Sequence, residues 1–568
     1  MECEETAIQE IAKKNSEEKY SKIPEGYEKG KTKYIVITGS VISGVGKGTV
    51  SSTLAKLLQS RGMNIEPMKL EAYLNVDAGT LSPFRHGEVF VLDDGTETDL
   101  DLGSYERMLD KNLTKDNFVT SGRIYKQVIE KERAGEYLGR DVQFIPHVTG
   151  EIKLAVRKVA AKTKADIILI EIGGTVGDYE NMFALEALRE LKYEEGEKSV
   201  CFINVTYILE PGSLGEQKSK AAQLGIKTLM EQGIQPDIIV CRSESPIKEN
   251  IKEKISLCAS IPLNRVFGMH DVKNIYSLPY ELKNQGFDTE VLKIIQLENK
   301  GDSIKQEKEL ETWAEKMKVS KDAPEITIGI AGKYVGGFDN YISILKSLEH
   351  CSFAINKNIK IKWVTVDEIE NGNLPIQEAL NEVGGLIVPG GFGERGIEGK
   401  IKCIRYCREN KIPFLGLCYG FQLAIVEFAR NVCGLDGAHT TEINKKTIHP
   451  VIDLLPEQYA LQNIGGNMRL GGHDVILKEG TKAEKIHNSH AIRRRFRHRY
   501  ECNPSYIELF EKQGIVFSGR ASNRKIMQIL EIPEHPFFMA TQFHPEFTSR
   551  PENPDPIFLE FTREASRM

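Results

Sequence analysis

The stretch from Tyr34 to Thr49 constrains the fold of this chain most strongly. It reads YIVITGSVISGVGKGT, so β-favouring residues run into a turn that contains four glycines and Lys47. An apolar-periodic segment, Val50 to Leu58, follows. This order predicts a strand, a glycine loop and a helix, an arrangement in which backbone N–H groups, a helix N-terminus and a lysine surround phosphate oxygens.

The loop departs from the usual P-loop pattern, Gly-x4-Gly-Lys-Ser/Thr. Val41 stands where the first glycine belongs, and Gly48 follows the lysine. Because glycine turns are common, the loop by itself leaves nucleotide binding and an ordinary turn as equal alternatives.

Length and composition narrow the class of protein. A chain of 568 residues is too long for one hydrophobic core and predicts about two to four domains. A net charge of -6 disfavours a nucleic-acid-binding surface, and no apolar run approaches the length of a membrane span. The ten cysteines form no zinc-type pairs, which favours a reducing, cytoplasmic environment. We therefore expect a cytoplasmic protein with no nucleic-acid or membrane partner.

Polar residues lie near the ends of two further predicted strands. Lys69 lies in the segment MKLEAYLNVD, and Glu171 ends the apolar run ADIILIE before a second glycine turn. Ligands gather at the carboxyl ends of parallel strands, so Lys69 is a candidate phosphate contact. A buried carboxylate is costly unless it is paired or binds metal, which makes Glu171 a candidate Mg²⁺ ligand. The carboxylates between Glu88 and Glu106 indicate either Mg²⁺ binding or an acidic surface loop.

A second α/β pattern begins after Pro324. Its most informative part runs from Ile412 through Gly416-Leu-Cys-Tyr-Gly420 into a helix, which predicts a nucleophile elbow at Cys418. The distant segment QFHPEF, residues 542–547, supplies a base and an orienting carboxylate. A thiol, a base and a carboxylate make a complete triad, which disfavours the alternative that Cys418 is a buried structural cysteine.

The motifs of the amino-terminal half, taken together and in order, resemble the synthase (amidoligase) domain of the CTP synthase family. The matching segments are GVGKG (44–48), MKL (68–70), NVD (75–77), HGEVFV (86–91), ETDLDLGSYER (97–107) and EIGGTVGD (171–178). The resemblance implies that Asp101 and Glu171 hold Mg²⁺ and that Lys47 and Lys69 attend the transferred phosphoryl group. It implies an ATP site formed by Gly44, Val45, Gly46, Lys47, Gly48, Thr49 and Asp101.

The same resemblance implies contacts to UTP and to the product CTP. The residues concerned are Ser43, Lys69, Asp178, Tyr179, Glu180, Lys218, Lys220, Gln223 and Lys254. The family's uridine segment appears here as KSKAAQ, in which Ala221 and Ala222 replace proline and threonine. Charge complementarity to a triphosphate is kept while a proline constraint and a hydroxyl are lost, so this departure bears on UTP affinity more than on UTP identity.

The carboxy-terminal half resembles class I glutamine amidotransferases. The resemblance implies that Cys418 attacks the glutamine amide, His544 shuttles the proton and Glu546 orients His544. It places the oxyanion hole and the glutamine-binding residues at Gly391, Tyr419, Gln422, Glu442 and Arg499. In the basic run from Arg493 to Arg499, Phe496 replaces the family's usual histidine, which bears on the tuning of this segment.

We therefore expect an α/β protein, with a P-loop-like parallel-sheet synthase domain followed by an α/β class I glutamine amidotransferase domain. The expected divisions are a flexible extension over 1–30, the synthase domain over 31–280, a linker over 281–323 and the amidotransferase domain over 324–568. The resemblance implies a ligase of pyrimidine biosynthesis that aminates UTP to CTP with ATP, Mg²⁺ and ammonia channelled from L-glutamine. It further implies GTP as allosteric activator, CTP as feedback inhibitor, and a homotetramer that can form filaments.

Two alternatives remain open. A different ATP-dependent amidoligase, of the cobyrinic acid diamide synthase type, joins similar domains but is expected to lack the triad. A catalytically impaired nucleotide-sensing or filament-forming homologue is motivated by Ala221, Ala222 and Phe496. Retention of both sets of site residues disfavours it.

Overall fold

The computed structural model describes residues 22–212, 215–333, 337–391, 393–454, 468–522 and 526–568. Most of the extension predicted over 1–30 therefore lies outside the described residues. The chain folds into two compact units. The first comprises Met1–Thr80 and Ser104–Glu315, and the second comprises Leu81–Gly103 and Lys316–Met568.

Both units are α/β in composition, and the predicted fold class is confirmed. The strands are β1 (Lys33–Gly39), β2 (Ile65–Glu71), β3 (Phe90–Val91), β4 (Glu97–Thr98), β5 (Phe118–Thr120), β6 (Ile167–Ile172), β7 (Val200–Tyr207), β8 (Ile238–Ser243), β9 (Val266–His270), β10 (Glu325–Ile330), β11 (Asn358–Trp363), β12 (Gly385–Val388), β13 (Phe414–Leu417), β14 (His439–Thr440), β15 (Pro450–Asp453), β16 (Arg469–Leu477), β17 (Ala491–His498), β18 (Glu501–Cys502), β19 (Val516–Ala521), β20 (Met527–Glu531) and β21 (Phe538–Thr541).

The helices connect these strands along the chain. They are α1 (Lys47–Ser60), α2 (Pro83–His86), α3 (Leu100–Leu109), α4 (Ser121–Arg133), α5 (Thr149–Thr163), α6 (Met182–Glu195), α7 (Lys220–Glu231), α8 (Glu249–Ala259), α9 (Leu278–Asn284), α10 (Phe287–Ile295), α11 (Ser303–Lys316), α12 (Ile342–Ile355), α13 (Val366–Glu370), α14 (Ile376–Ala379), α15 (Ile397–Glu409), α16 (Tyr419–Asn431), α17 (Lys482–His487), α18 (Ile507–Lys512) and α19 (Pro556–Ala565). Within the described ranges, no helix combines the length and the apolar character that crossing a membrane requires.

The amino-terminal unit is built on a parallel seven-stranded sheet of order β5-β2-β6-β1-β7-β8-β9. Its central strands β1 and β6 are buried almost throughout, so both faces need apolar residues and the sequence shows no alternation. Strand β1 leads through the glycine loop into α1, which begins at Lys47. The loop therefore lies at the carboxyl edge of the sheet, where β2 and β6 also end.

The charged region over 281–323 contains more structure than the single helix expected around Lys305 to Lys318. That helix is α11, and two short helices, α9 and α10, precede it. Helix α10 packs its Phe287 ring against Phe267, with 4.8 Å between ring centroids, and Asp288 pairs with Arg61 at 2.7 Å. Contacts with residues far away in the sequence stabilise these helices, so local periodicity gave little sign of them.

The carboxy-terminal unit contains a nine-stranded sheet of order β11-β10-β12-β13-β21-β20-β19-β16-β17. The strands from β11 to β21 in this order are parallel, and the remaining pairings are antiparallel. Strand β13 lies between β12 and β21, and α16 follows it after one residue. That residue is Cys418, so the sheet places the predicted nucleophile at the carboxyl end of a central strand.

Candidate glutaminase and nucleotide sites

Cys418 occupies a sharp turn between β13 and α16. Its backbone has a φ of +50° and a ψ of -93°, a conformation that is strained for a residue with a side chain. Glycines on both sides make the turn possible. A Cβ at Gly416 would lie 2.8 Å from the Gly420 carbonyl oxygen, and one at Gly420 would lie 2.2 Å from the carbonyl oxygen of Val388. The predicted elbow is therefore present, and it places the buried Cys418 thiol at a helix N-terminus.

His544 and Glu546 lie beside the elbow. The imidazole Nδ1 is 2.7 Å from Glu546 Oε1, and both side chains are largely buried. A Cβ at Gly390 would lie 3.0 Å from His544 Cε1 and 3.6 Å from Cys418 Cβ. Because Gly390 has no side chain, the His544 imidazole and the Cys418 side chain can both lie close to it. The structure brings the three predicted triad residues together.

The charges of the triad favour a protonated imidazole. Burial by itself would lower the pKa of His544, but the charges of Glu546 and Cys418 outweigh this effect and raise the pKa from 6.5 to about 10. A cationic imidazole next to Cys418 stabilises a thiolate, which is the nucleophilic form of cysteine. The arrangement therefore suits nucleophilic attack on an amide carbon.

We expect the stability of the protein to depend on the protonation of His544. Because the pKa of His544 is higher in the folded protein than in the unfolded chain, its contribution is complete below pH 6.5 and is lost as the pH rises towards about 10. The urea midpoint of the His544→Gln variant should therefore change less over this pH range than that of the unaltered protein.

A matched histidine provides the control for this measurement. The exposed His490 is 3.4 Å from Glu484, and His490→Gln should retain the pH dependence of the unaltered protein. Parallel changes of the midpoint in all three proteins would show that the imidazolium of His544 does not stabilise the fold.

The predicted glutamine-binding residues include two charged groups that influence each other and an amide with a buried oxygen. Gln422 donates from Nε2 to the Tyr500 carbonyl at 2.9 Å, while its buried Oε1 lacks a hydrogen-bond partner within the described ranges. Burial raises the pKa of Glu442, and the charge of Arg499 partly opposes this rise. Space is open around Gly391 where a Cβ would be. These groups offer one carboxylate, one guanidinium and one orphaned amide oxygen to an amino-acid ligand.

Two further residues of this site were not predicted from the sequence. Gln542 has its Nε2 3.4 Å from the Cys418 carbonyl and 3.7 Å from Sγ. The position of Gln542, two residues before His544, was the sequence signal that could have identified it. Lys400 is buried with its ammonium 5.4 Å from the Tyr419 ring centroid, and burial lowers its pKa to about 8. It lies on the helix α15, whose pattern alone gave no sign of this contact.

In the amino-terminal unit, the glycine loop adopts the left-handed conformations that a phosphate cradle requires. Gly44 has a φ of +69° and Gly46 a φ of +91°. Val41 also has a positive φ, +81°, although it stands where the usual pattern has glycine. Lys47 is buried and donates to the Gly174 carbonyl at 2.7 Å. Positive φ angles therefore occur at three positions of this loop, including the substituted Val41, and Val45, Gly48 and Thr49 complete the predicted ATP set.

Lys69 and Glu171 form a buried ion pair. Lys69 Nζ is 2.7 Å from Glu171 Oε1 and 3.2 Å from Glu71 Oε1, while the Tyr105 hydroxyl donates to Glu171 Oε2 at 2.8 Å. A Cβ at Gly173 would lie 2.4 Å from Glu71 Oε2, so a side chain at this position would displace the carboxylate from its present place. Glu71 was not predicted. Carboxylate oxygens beside lysines are a donor set that fits Mg²⁺ and substrate phosphates. Asp101, on α3, belongs to the other compact unit.

Four predicted nucleotide contacts line one cavity of about 420 Å³ in the amino-terminal unit. They are Lys218, Lys220, Gln223 and Lys254, and Lys248 joins them as a fourth lysine. The cavity lies between the starts of α7 and α8, so two helix N-termini add to its positive potential. Ser43, Lys69, Asp178, Tyr179 and Glu180 are not among the residues that line it.

Of the remaining predicted pyrimidine contacts, Lys69 lies on β2, and the others lie in the glycine loop and in the segment that follows β6. Ser43 is exposed within the glycine loop, and Tyr179 is 84% exposed in the turn that follows β6. In that turn Asp178 accepts a hydrogen bond from the Thr175 backbone at 2.7 Å. Arg242, at the end of β8, was missed by sequence reasoning. A Cβ at Gly46 would lie 2.4 Å from its Nη1, so its guanidinium adds a positive charge beside the glycine loop.

Comparison with known proteins places each half of the chain in a family. Residues 33–297 match the family described as CTP synthase N-terminus, and residues 337–563 match the family described as Glutamine amidotransferase class-I. CTP synthase of Thermococcus gammatolerans is 48% identical over 536 residues, which cover 94% of this chain and 98% of that protein. CTP synthase of Bacillus subtilis is 48% identical over 531 residues, 93% of this chain and 98% of that protein.

A solved structure is also similar to part of the chain. The glutaminase domain of Trypanosoma brucei CTPS with bound acivicin shares 35% identity, covers 43% of this chain and 94% of that chain, and has a TM-score of 0.40.

The two family matches define a glutamine-dependent ligase with a class I amidotransferase domain. The extent of the similarity narrows this class further. The chain belongs to the CTP synthase family. The family resemblance seen in the sequence is therefore confirmed, as are the glutamine-hydrolysing ligase class and the role in pyrimidine biosynthesis. The alternative of a sensing or filament-forming homologue and that of another amidoligase are not favoured.

Proposed function

We propose that this protein converts UTP to CTP, using ATP to activate the pyrimidine and ammonia released from L-glutamine to replace its oxygen. The observation that carries the proposal is the complete Cys418–His544–Glu546 triad in a chain that also holds a glycine loop with a buried lysine. The triad suits the release of ammonia, and the glycine loop with its lysine suits phosphoryl transfer. Passage of ammonia within the protein keeps it unprotonated and nucleophilic.

In the glutaminase half, the Cys418 thiolate attacks the amide carbon of glutamine, and the resulting oxyanion receives hydrogen bonds from the backbone at Gly391 and Tyr419. The protonated His544 then gives its proton to the leaving nitrogen, and ammonia departs from the acyl-enzyme. Water, deprotonated by His544, releases glutamate. Glu546 accepts the Nδ1 hydrogen bond at 2.7 Å and keeps the imidazole oriented through both steps.

In the synthase half, the γ-phosphoryl group of ATP is transferred to O4 of UTP. The glycine loop and Lys47 hold the phosphates, and Lys69 neutralises charge on the transferred group. Glu171 would hold Mg²⁺, which when bound neutralises phosphate charge. Ammonia then displaces the phosphate from C4 to give CTP, so an oxygen that is a poor leaving group becomes a good one.

Regulation and assembly follow the family by analogy. We propose GTP as an allosteric activator, CTP as a feedback inhibitor, a homotetramer that can form filaments, and a cytoplasmic location. We also keep the division into a synthase domain over 31–280, a linker over 281–323 and an amidotransferase domain over 324–568. The cavity with four lysines is the proposed triphosphate site for UTP and CTP, because a concentrated positive charge suits a polyanion.

The proposed function is tested by incubating the purified protein with UTP, ATP and Mg²⁺, with glutamine plus GTP or with ammonium chloride. We expect CTP from both nitrogen sources. The absence of CTP in both reactions would contradict the proposal.

We expect Lys254→Ala to raise the KM for UTP by about 10-fold, because a charge-assisted contact to a phosphate is lost. The value of kcat should change little, since Lys254 is remote from the transferred group in this proposal. Lys252→Ala is the matched control. Lys252 lies on the same helix, is paired with Glu249 at 3.8 Å and does not line the cavity. Equal effects of the two substitutions on the KM for UTP would exclude the cavity as the UTP site.

A further inference from the structure

The hairpin of β3 and β4 packs on strand β17 within the carboxy-terminal unit. Alternate residues of a strand point to the same face, and three alternate arginines of β17 contact the hairpin. The contacts are Arg493 to Asp93 at 3.0 Å, Arg495 to the Val91 carbonyl at 3.1 Å and Arg497 to Glu97 at 2.7 Å. The side chains of the Arg497–Glu97 pair are only 14% and 9% exposed, whereas those of the Arg493–Asp93 pair are 52% and 34% exposed.

The backbone of β17 holds the catalytic residues. Cys418 Sγ lies 3.5 Å from the carbonyl oxygen of Arg497, which accepts a hydrogen bond from the sulfur while it carries its proton, and the carbonyl of Arg495 accepts one from the backbone N–H of His544 at 2.9 Å. The same two arginines whose side chains bind the buried part of the hairpin therefore position the nucleophile and the base through their backbone. Arg493 makes no such contact with either catalytic residue among the hydrogen bonds of the described chain.

Aromatic rings make a second connection between the hairpin and the triad. The Phe90 ring of β3 lies 5.0 Å from that of Phe547, and Phe547 stacks on the His544 imidazole with 4.8 Å between centroids. The Arg495 guanidinium lies 5.5 Å from the centroid of Phe90. The hairpin thus contacts the supports of both Cys418 and His544.

We propose that Glu97 is a positioning residue for glutamine hydrolysis. By pairing with Arg497 in a nearly buried place, it fixes the carbonyl that orients the Cys418 thiol. The inference rests on the proposed function, because it assigns Glu97 to the glutaminase half of that reaction. The proposal also differs from what the sequence-based domain assignment would predict for Glu97. Glu97 lies within the region predicted as the synthase domain, from which a substitution would be expected to impair CTP formation from ammonia.

The experiment compares Glu97→Gln with Asp93→Asn in the full-length protein. Both substitutions neutralise a carboxylate that pairs with an arginine of β17. We expect Glu97→Gln to lower kcat for glutamine hydrolysis by about 10- to 100-fold, since small displacements of reacting groups cost that much. The rate at which iodoacetamide alkylates Cys418 should also change. CTP formation from ammonia should stay within about twofold, and Asp93→Asn should alter all three quantities by less than about twofold because its pair is exposed.

Each outcome decides the proposal. Equal small effects of the two substitutions would overturn it. Loss of both glutamine- and ammonia-dependent CTP formation in a folded Glu97→Gln protein would also overturn it, because Glu97 would then act in the synthase half. If the unaltered protein made no CTP from either source, the proposed function itself would fail, and the two failures are therefore distinguishable. Should Glu97→Gln not fold, Arg497→Lys removes the Nε donor to Glu97 while keeping the charge, and the same selective loss is expected.

Discussion

Replacing Cys418 with alanine is expected to abolish CTP formation from glutamine while sparing CTP formation from ammonia. The substitution removes the nucleophile, so the glutamine-dependent rate should fall by at least about 10³-fold. Ammonia supplied in solution bypasses the triad, and the synthase residues Lys47, Lys69 and Glu171 are unaltered. The measurement is the rate of CTP formation with each nitrogen source at saturating UTP and ATP.

Cys403→Ala is the matched control for this experiment. Cys403 is a fully buried cysteine of the same unit and packs in its hydrophobic core. Its replacement removes a thiol of similar burial without touching the triad, so both activities should persist. If a folded Cys418→Ala protein lost ammonia-dependent synthesis as well, the proposed division of labour between the two halves would be contradicted.

The second large effect is expected at Glu171. Its carboxylate receives Lys69 at 2.7 Å and the Tyr105 hydroxyl at 2.8 Å, and it is 1% exposed. Glu171→Gln keeps the shape but removes the charge that would bind Mg²⁺ and balance Lys69. We expect CTP formation with either nitrogen source to fall by about 10²-fold or more, because charge neutralisation supplies much of the catalysis of phosphoryl transfer. Glutamine hydrolysis in the same protein should persist.

A buried carboxylate elsewhere in the same sheet provides the control. Glu66 on β2 accepts a hydrogen bond from Asn117 at 2.6 Å and pairs with Lys111. Glu66→Gln should reduce stability but leave the turnover of the folded protein within about twofold, because no catalytic role is assigned to this pair. Normal ammonia-dependent turnover of Glu171→Gln would remove the assignment of Glu171 to the metal.

The buried ion pair of Glu171 is the reason for testing this position with a Glu171→Gln substitution and not with Glu171→Ala. Alanine would remove both the charge and the oxygens that receive Lys69 and Tyr105, in a place that is nearly inaccessible to water. Removal of one member of a buried ion pair typically costs about 3–5 kcal/mol of stability. An inactive Glu171→Ala protein would therefore confound lost catalysis with lost folding, whereas Glu171→Gln separates them.

Local sequence determined the parts of this protein that depend on neighbouring residues. β-favouring residues identified β1 as a strand, an apolar run without alternation identified β6 as a buried strand, and glycines marked the loop after β1 and the elbow at Cys418. These features follow from side-chain period and from the conformations that only glycine adopts readily. The short motif QFHPEF brings His544 and Glu546 close together along the chain, so their 2.7 Å contact needs little help from the rest of the fold.

The tertiary structure alone decided which distant residues meet. The segment Leu81–Gly103 follows Thr80 of one compact unit along the chain, yet it folds with the other unit, where Glu97 pairs with Arg497. Arg242 beside the glycine loop and Lys248 in the lysine-lined cavity were missed for the same reason. An ion pair between residues hundreds of positions apart leaves no local pattern of period or spacing, because its partners are brought together by the packing of the sheets and helices between them.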